Sequence, residues 1–325
     1  MQPFHPLVRH PHLLTILGNF WPRRLDLKRF PPHRRTIATE PGVQVLIISQ
    51  QPESEPKANL VLVHGLEGSS EAGYKRSMAQ HALEAGYAVH RFNMRSCGGT
   101  EDLALTNYHS GQTSDLLYFL RLLKTESPAP VFLAGFSLGG NVSLKLAGEL
   151  GDTGPALLAG VCAVSAPIDL GACVERLRRP ENFIYERRFL ISLKRRIRKR
   201  IRQAPHLYDR APLKTIRTVY DFDDAYTGPL FGFGNAANYY ATQSAKNFLG
   251  AIRVPTLLIQ SKDDPLIPFD VYNQPAFDTN PCLTLLTPEH GGHLGFLSRT
   301  RPRFWLDPLV LGWIEQVRTA GPLAI

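Results

Sequence analysis

Short runs of apolar and β-branched residues recur along the chain and predict β-strands. In several of them, such as LVLV, VFLA and TLLI, every residue is apolar. This pattern is typical of parallel strands that are covered on both faces. The seven predicted strands are Gln44–Ser49, Leu60–His64, Ala88–Phe92, Pro130–Ala134, Val161–Ser165, Thr256–Gln260 and Cys282–Leu286.

Helical patterns lie between several of these strands and after the last one. They cover Tyr74–Ala85, Thr113–Lys124, Leu138–Leu150 and a stretch from about Pro302 to Arg318. Strands that alternate with helices of this length predict an α/β fold with a mainly parallel sheet flanked by helices. Residues 1–35 are rich in Pro, His and Arg and are predicted to be irregular.

The alternation stops between Ser165 and Val254, in a stretch that is helical, basic and aromatic. It is too long for a loop inside a compact domain. We therefore predict a core formed by residues 1–165 and 255–325 and an inserted helical cap, or lid, at 166–254. Six aromatic residues of the cap form either its own core or the lining of an apolar substrate pocket: Phe222, Tyr226, Phe231, Phe233, Tyr239 and Tyr240.

The composition is that of a globular protein, with 43% apolar and 20% charged residues in a chain of 325. No apolar run approaches the ~18–20 residues of a membrane-spanning helix. The N-terminal segment has His, Arg and Pro where a signal peptide needs an apolar stretch, so we expect a cytoplasmic protein.

The four cysteines lack metal-site or disulfide spacing. We predict no metal and no organic cofactor, and leave open a reactive thiol at Cys97.

The net charge of +9 comes from one segment. Arg176–Arg202 contains twelve basic residues and only two acidic ones, so it carries more positive charge than the whole chain. The remainder is close to neutral, which argues against a nucleic-acid partner.

Apolar residues within this basic segment are spaced three and four residues apart, which predicts a helix docked by one face. The basic residues on its other faces are either solvated, or make peripheral contact with an anionic membrane through Arg187–Arg202. The apolar positions are Leu190, Leu193, Ile197 and Ile201.

The strongest chemical signal is Gly135-Phe136-Ser137-Leu138-Gly139, which matches G-x-S-x-G. It directly follows a predicted buried strand and begins a predicted helix, as a nucleophile elbow requires. Glycines flank the serine because larger side chains would clash in so tight a turn. We therefore predict that Ser137 is a nucleophile at a helix N-terminus, where the helix dipole favours negative charge.

A serine nucleophile needs a base, and the base needs an acid that orients it. After a nucleophile elbow the chain order is serine, acid and histidine. The acid is expected after TLLIQ, where Asp263 and Asp264 compete, and Asp264 is favoured because Pro265 follows it. The base is expected after TLLTP, where His293 follows two glycines and His290 is the alternative.

The developing oxyanion needs backbone N–H donors. One is predicted at Leu138, directly after the nucleophile, and the other at Leu66, in the glycine-containing loop His64–Gly68.

With these motifs in place, the sequence resembles the YheT-like family of α/β-hydrolases, which also includes eukaryotic abhydrolase-domain lipases and esterases. The resemblance implies an α/β-hydrolase fold with a helical cap inserted after the sixth strand. It also implies a catalytic triad of Ser137, Asp264 and His293. The motifs that carry it are HPHLLTI, LVHGLEGSS, FNMRSCGGT, YHSGQTSDL, GFSLGGN, YDFDDAYTGPLFGFGNAANYY, KDDPLIP and GGHLGF.

Three further residues, Tyr108, His109 and Asp115, match the family pattern, and we expect structural roles for them. The family implies a serine hydrolase that cleaves carboxylic esters through an acyl-enzyme, with a small-molecule ester or lipid as substrate. An acyltransferase with an alcohol acceptor would use the same residues. A non-catalytic protein that binds membranes or acidic partners through the basic helix is the third hypothesis, although it would gain nothing from an intact triad.

Overall fold

A computed structural model describes residues 3–320 and places eight strands in one sheet. The order across the sheet is β1-β2-β4-β3-β5-β6-β7-β8. Strand β2 pairs antiparallel with β1 and with β4, and the other pairs are parallel. The strands are β1 His33–Glu40, β2 Val43–Gln50, β3 Asn59–Val63, β4 Ala88–Phe92, β5 Val131–Phe136, β6 Gly160–Val164, β7 Thr256–Ile259 and β8 Leu283–Leu286.

Helices cover both faces of the sheet and fill the segment between β6 and β7. Within the described residues, none is long and apolar enough to cross a membrane. The cytoplasmic location stays a prediction. The helices are α1 Pro11–Phe20, α2 Gly73–Glu84, α3 Ser114–Glu126, α4 Leu138–Leu150, α5 Gly154–Leu157, α6 Leu170–Leu177, α7 Phe183–Gln203, α8 Val219–Phe222, α9 Gly228–Leu230, α10 Ala236–Gln243, α11 Ala276–Thr279 and α12 Leu306–Ala320.

The central strands contribute to an apolar core on each face of the sheet because successive side chains point to opposite sides. In β3, Leu60 and Leu62 belong to the cluster that α2 and α12 complete, while Val61 and Val63 belong to the cluster that α3 and α4 complete. All five residues of β3 are buried. The predicted α/β fold with a mainly parallel, doubly covered sheet is therefore confirmed.

The seven predicted strands correspond to β2–β8, but the prediction that residues 1–35 are irregular was wrong. Helix α1 lies within that segment, and β1 begins there. The sequence signal of β1 is weak because Ile37 is its one buried residue and the strand lies at the edge of the sheet. Helix α1 is held by tertiary contact, since Leu14, Thr15 and Gly18 are its buried residues.

The segment between β6 and β7 is helical, with α6–α10 and several single turns. The apolar cluster beside α3 and α4 continues into this segment through Leu193, Ile197 and Tyr208. The boundaries of a separate cap at 166–254 stay a prediction, and residues 1–2 and 321–325 of the predicted core lie outside the described residues.

Helix α7 confirms the predicted amphipathic helix, with one correction. Leu193 and Ile197 are buried, and Leu190 and Ile201 pack against the same core. The interpretation that every basic residue on the other faces is solvated was wrong for Arg200, which is 1% exposed. Its Nε donates to Asn107 Oδ1 at 3.0 Å, so this arginine ties α7 to the chain that follows β4.

Asp115 forms a buried ion pair that joins α3 to the loop after β4. Arg95 Nε donates to Asp115 Oδ2 at 2.7 Å and Arg95 Nη2 donates to Oδ1 at 2.8 Å. Both side chains are 3% exposed. Such a bidentate pair has good geometry, and the structural role expected of Asp115 is confirmed.

Asp115→Ala should lower the free energy of unfolding by about 3–5 kcal/mol, because it leaves Arg95 as a buried charge without its main partner. Glu53→Ala breaks the pair between Arg29 and Glu53, whose side chains are 44% and 63% exposed, and should lower the free energy of unfolding far less because water screens this pair. Urea unfolding followed by circular dichroism measures both values. Equal losses in the two variants would contradict the assignment.

Candidate active site

Ser137 occupies a strained turn between the end of β5 and the start of α4. Its backbone has φ 53° and ψ −125°, a conformation that a side chain with a Cβ rarely adopts and that costs roughly 1–3 kcal/mol. The surrounding structure holds it there. Ser137 N–H donates to Val164 O at 2.8 Å, and Gly140 N–H donates to Ser137 O at 2.7 Å.

The glycines around Ser137 are required by close backbone approach. A Cβ on Gly135 would lie 2.2 Å from Gly139 O, and a Cβ on Gly139 would lie 2.5 Å from His64 O. Because neither backbone oxygen can move aside, larger residues at these two positions would push the turn apart. The G-x-S-x-G pattern is therefore the local requirement of this strand–turn–helix junction.

The three residues predicted to form a triad lie together in a hydrogen-bonded series. His293 Nε2 is 2.9 Å from Ser137 Oγ, and His293 Nδ1 is 2.9 Å from Asp264 Oδ2. They follow β5, β7 and β8, whose carboxyl ends meet at one edge of the parallel sheet. The arrangement allows His293 to accept the Ser137 proton while Asp264 fixes the imidazole tautomer.

Asp264 is fully buried and its two oxygens are held by other donors as well. Oδ1 accepts from Leu266 N–H at 2.9 Å and from Ile267 N–H at 3.2 Å, and Oδ2 accepts from Gln260 Nε2 at 3.2 Å. The side chain is 0% exposed. These bonds fix the carboxylate in one orientation, which in turn orients His293.

Asp263 and His290, the sequence-based alternatives to Asp264 and His293, form a second carboxylate–imidazole pair beside the first. His290 Nδ1 is 3.0 Å from Asp263 Oδ2, and Asp263 Oδ1 accepts from Gly292 N–H at 2.9 Å. This pair braces the loop that carries His293. Its imidazole has no hydrogen bond to Ser137.

Helix α1, which the sequence did not predict, holds the same loop from the other side. His293 N–H donates to Thr15 Oγ1 at 2.8 Å. A Cβ on Gly292 would lie 2.6 Å from Pro11 O, and a Cβ on Gly18 would lie 2.6 Å from Gly295 Cα. The His293 loop and α1 therefore pack backbone against backbone, which explains the glycines that surround His293.

The two predicted oxyanion donors are free to meet a ligand. Among residues 3–320, neither Leu66 N–H nor Leu138 N–H has an acceptor. The N–H groups on either side of Leu66 are occupied: Gly65 donates to Tyr74 Oη at 3.0 Å and Glu67 donates to Tyr108 Oη at 2.7 Å. This leaves Leu66 N–H unpaired in a loop that contacts Ser137, since a Cβ on Gly65 would lie 2.9 Å from Ser137 Cβ.

Glu67 fixes this loop and links it to helix α7. It has a positive φ of 54°, and its Oε1 accepts from Tyr108 Oη at 3.1 Å and from Arg196 Nε at 3.0 Å. Arg196 is also stacked over Tyr108, 5.6 Å from the ring centre. Burial and the nearby Glu67 carboxylate raise the pKa of Tyr108 well above its usual value, so its hydroxyl stays protonated and donates. The sequence singled out Tyr108 but gave no role for Glu67 or Arg196.

His64, at the start of the loop, is a structural residue and not a second base. Met94 N–H donates to its Nε2 at 3.1 Å, and its Nδ1 is 2.8 Å from Gly65 O. Burial lowers the pKa of His64 to about 3, so the ring is neutral and bonds through both nitrogens.

The remaining polar candidates do not form a second reactive centre. Cys97 is 1% exposed and burial raises the pKa of its thiol to about 12, which favours a buried structural thiol over a reactive one. Within the described residues, no cluster of His, Cys, Asp and Glu could hold a metal ion.

Two cavities meet at Ser137 and His293. The first has a volume of about 140 Å³ and lies under the helices between β6 and β7, with a mainly apolar lining that includes Leu170, Val174 and Leu230. The second has a volume of about 270 Å³ and lies between α1, the Leu66 loop and α7.

The six aromatic residues of the predicted cap were interpreted either as its own core or as the lining of a substrate pocket, and the structure shows both kinds of contact. Five of them line the first cavity, and four of these five are also buried in the apolar core. Phe233 instead stacks on Tyr239, at 5.2 Å between ring centres. The five lining residues are Phe222, Tyr226, Phe231, Tyr239 and Tyr240.

Comparison with known proteins identifies the family of this chain and several relatives. Residues 58–300 match the family described as alpha/beta hydrolase fold. The chain is 33% identical over 310 residues to YheT of Escherichia coli (strain K12), which is named as an esterase, covering 93% of this chain and 89% of that protein. It is 31% identical over 266 residues to a monoacylglycerol lipase of Saccharomyces cerevisiae, covering 78% of this chain and 58% of the lipase.

Solved structures support the fold. An esterase of Pyrococcus furiosus superposes with a TM-score of 0.61 at 18% identity, covering 91% of this chain and 96% of the esterase. The sheet order, the strand–turn–helix junction at Ser137 and the full-length match to YheT agree with one another. The chain therefore belongs to the α/β-hydrolase family, in the group that contains YheT.

Proposed function

We propose that the chain is a serine hydrolase that cleaves carboxylic esters through an acyl-enzyme. The observation that supports this most directly is the hydrogen-bonded series Ser137–His293–Asp264 beside two unpaired backbone N–H groups. The names of the relatives, esterase and monoacylglycerol lipase, point to the same class of reaction.

In the proposed mechanism, Ser137 Oγ attacks the ester carbonyl while His293 Nε2 takes the hydroxyl proton. The carbonyl oxygen becomes an oxyanion that Leu66 N–H and Leu138 N–H stabilise. His293 then gives its proton to the departing alcohol, which leaves the acyl group on Ser137. Water, activated by the same histidine, releases the acid and restores the serine. Asp264 orients His293 and stabilises the imidazolium.

The two cavities suggest how the ester is oriented. We assign the acyl chain to the first cavity, because its lining is the more apolar of the two and the helices between β6 and β7 form much of it. We assign the alcohol to the second cavity, because polar side chains such as Asn19, Arg188 and Ser192 lie along it. An engineered apolar cavity of about 150 Å³ binds benzene, so about 140 Å³ suits an acyl chain of roughly six carbons.

Acyl transfer to an alcohol would use the same groups, with a second alcohol in place of water. No contact in the site favours it specifically. Product analysis in the presence of added ethanol separates the two reactions, since transfer yields an ethyl ester and hydrolysis yields the acid.

The preferred acyl-chain length tests the assignment of the acyl chain to the first cavity. With p-nitrophenyl esters from acetyl to palmitoyl, kcat/KM should be highest at roughly six acyl carbons, and Ser137→Ala should abolish turnover. Val174→Phe narrows the cavity that Val174 lines and should move the optimum to shorter chains. An unchanged optimum would place the acyl chain elsewhere.

The two adjacent carboxylate–imidazole pairs give a matched test of the triad. Asp264→Asn and His293→Gln should each slow labelling of Ser137 by a fluorophosphonate about 10²- to 10⁴-fold, because they remove base catalysis. Asp263→Asn and His290→Gln alter the neighbouring pair, which braces the loop but does not contact Ser137, and should slow the labelling far less than the two triad variants do. The labelling rate is measured by intact-protein mass spectrometry. Similar losses in both pairs would overturn the assignment.

The Tyr108 hydroxyl is proposed to position the Leu66 N–H by holding Glu67 in its strained conformation. Tyr108→Phe should lower kcat about 10- to 100-fold with little change in KM, because removal of one oxyanion donor costs about 10²–10³ and a displaced donor costs less. Tyr118→Phe, at an exposed tyrosine, is the control and should behave as the wild type. A rise in KM at unchanged kcat would indicate a substrate-binding role instead.

A further inference from the structure

Exposed apolar side chains are concentrated on two helices. Of the ten large apolar side chains that are exposed within residues 3–320, six lie on α1 or α7, and the other four are dispersed. Two of the six, Phe20 and Ile184, are 71% and 72% exposed. A concentrated patch of this kind marks an interaction surface, whereas single exposed apolar residues do not. The six are Leu13, Ile16, Phe20, Phe183, Ile184 and Ile191.

The two helices border the second cavity and meet through side-chain contacts, which places their exposed residues on the same side of the molecule. His12 Nδ1 of α1 is 3.2 Å from Tyr185 Oη of α7, and the two rings are stacked. Arg188 of α7 lies over the Phe20 ring of α1, 5.9 Å from its centre. We call the six apolar residues and the exposed arginines of α7 the α1–α7 face.

The second cavity opens within the α1–α7 face. Ile16 and Phe20 from α1 and Arg188 from α7 line it, and at its inner end it reaches Ser137 and His293. A molecule that binds at this face therefore has a direct route to the proposed nucleophile.

The cations of the α1–α7 face are unpaired, in contrast to those that point inward. Arg187, Arg195 and Arg198 are exposed, and within the described residues none of them forms an ion pair. The one acidic residue of the helix, Glu186, is turned away, and its Oε1 accepts from Val219 N–H at 3.3 Å. The outer side of α7 thus carries apolar and cationic groups and no exposed carboxylate.

We propose that the α1–α7 face docks on an anionic lipid bilayer, so that an ester passes from the lipid through the second cavity to Ser137. Apolar side chains enter the boundary between headgroups and acyl chains, and the arginines meet the phosphates. The negative surface potential of an anionic bilayer attracts cations placed in this way. A second copy of the chain is a poorer occupant, because two such faces would bring like charges together. This route rests on the proposed ester hydrolysis, whereas the docking itself does not.

Co-sedimentation with phosphatidylcholine vesicles, with and without phosphatidylserine, tests the docking in the full chain. We expect Ser137→Ala to bind as the wild type does, so the measurement is independent of catalysis. The triple variant Leu13→Ser, Ile184→Ser, Ile191→Ser should bind at least about tenfold more weakly, since it removes apolar side chains that the bilayer would bury. Leu105→Ser with Leu207→Ser removes exposed apolar groups elsewhere and should have no effect.

The charged half of the face is tested by Arg187→Gln, Arg195→Gln, Arg198→Gln, which should abolish the preference for phosphatidylserine and its sensitivity to salt. None of the substituted residues lines a cavity at Ser137, so hydrolysis of a soluble p-nitrophenyl ester should be unchanged in every variant except Ser137→Ala. The proposal is overturned if the wild type does not bind anionic vesicles at low salt, or if the apolar triple variant binds equally well. A shift from dimer to monomer in that variant, without vesicle binding by the wild type, would assign the face to a second copy.

Discussion

The left-handed turn at Ser137 is the constraint on which the rest of the site depends. A side chain with a Cβ at φ 53° is unfavourable, and it persists because β5 and α4 are each fixed by burial on both sides of it. Every residue of β5 is buried, and so are the first eleven residues of α4. The packing energy of the sheet core thus maintains one strained residue, and the strain keeps the serine hydroxyl at the carboxyl edge of the sheet.

Helix α7 serves that edge in two ways, because its basic residues divide by direction. Arg196 and Arg200 point inward, where they bind the Leu66 loop through Glu67 and the chain after β4 through Asn107. Arg187, Arg195 and Arg198 point outward and are exposed. The burial of these two cations is tolerated because acceptors surround them: the Glu67 carboxylate and the Ser96 carbonyl oxygen for Arg196, and the Asn107 and Glu101 oxygens for Arg200. A basic segment can therefore be structural on one side and available to a partner on the other.

The sequence predicted the features that depend on neighbouring residues better than those that depend on contacts between distant parts of the chain. The junction at Ser137 was predictable because its glycines, its strand and its helix are contiguous in the chain. Asp264 was preferred over Asp263 by its neighbouring Pro265, but the choice becomes clear only when the two imidazoles of a distant loop are in place. Helix α1 could not be predicted, since its three buried residues pack against a loop nearly three hundred residues away.

For the same reason, the direction of Arg196 and Arg200 was not visible in the helical periodicity. The spacing identifies which face of α7 is apolar. An arginine at the border of that face turns inward only if a neighbouring loop provides a hydrogen-bond acceptor. The acceptors here, Glu67 and Asn107, belong to loops with no regular pattern. Periodicity predicts burial of apolar groups well and says little about polar groups that are buried in pairs.

The two helices that form the α1–α7 face also contact the two loops of the candidate site that carry His293 and Leu66. Thr15 of α1 accepts from the backbone of His293, and Arg196 of α7 binds the carboxylate of Glu67 beside the Leu66 N–H. In the proposed mechanism one helix would thus support the base and the other the oxyanion donor, while the second cavity lies between them. A contact that changed the distance between α1 and α7 would act on this opening and on both supports. The surface that would receive an ester is, through these two hydrogen bonds, mechanically connected to the groups that would cleave it.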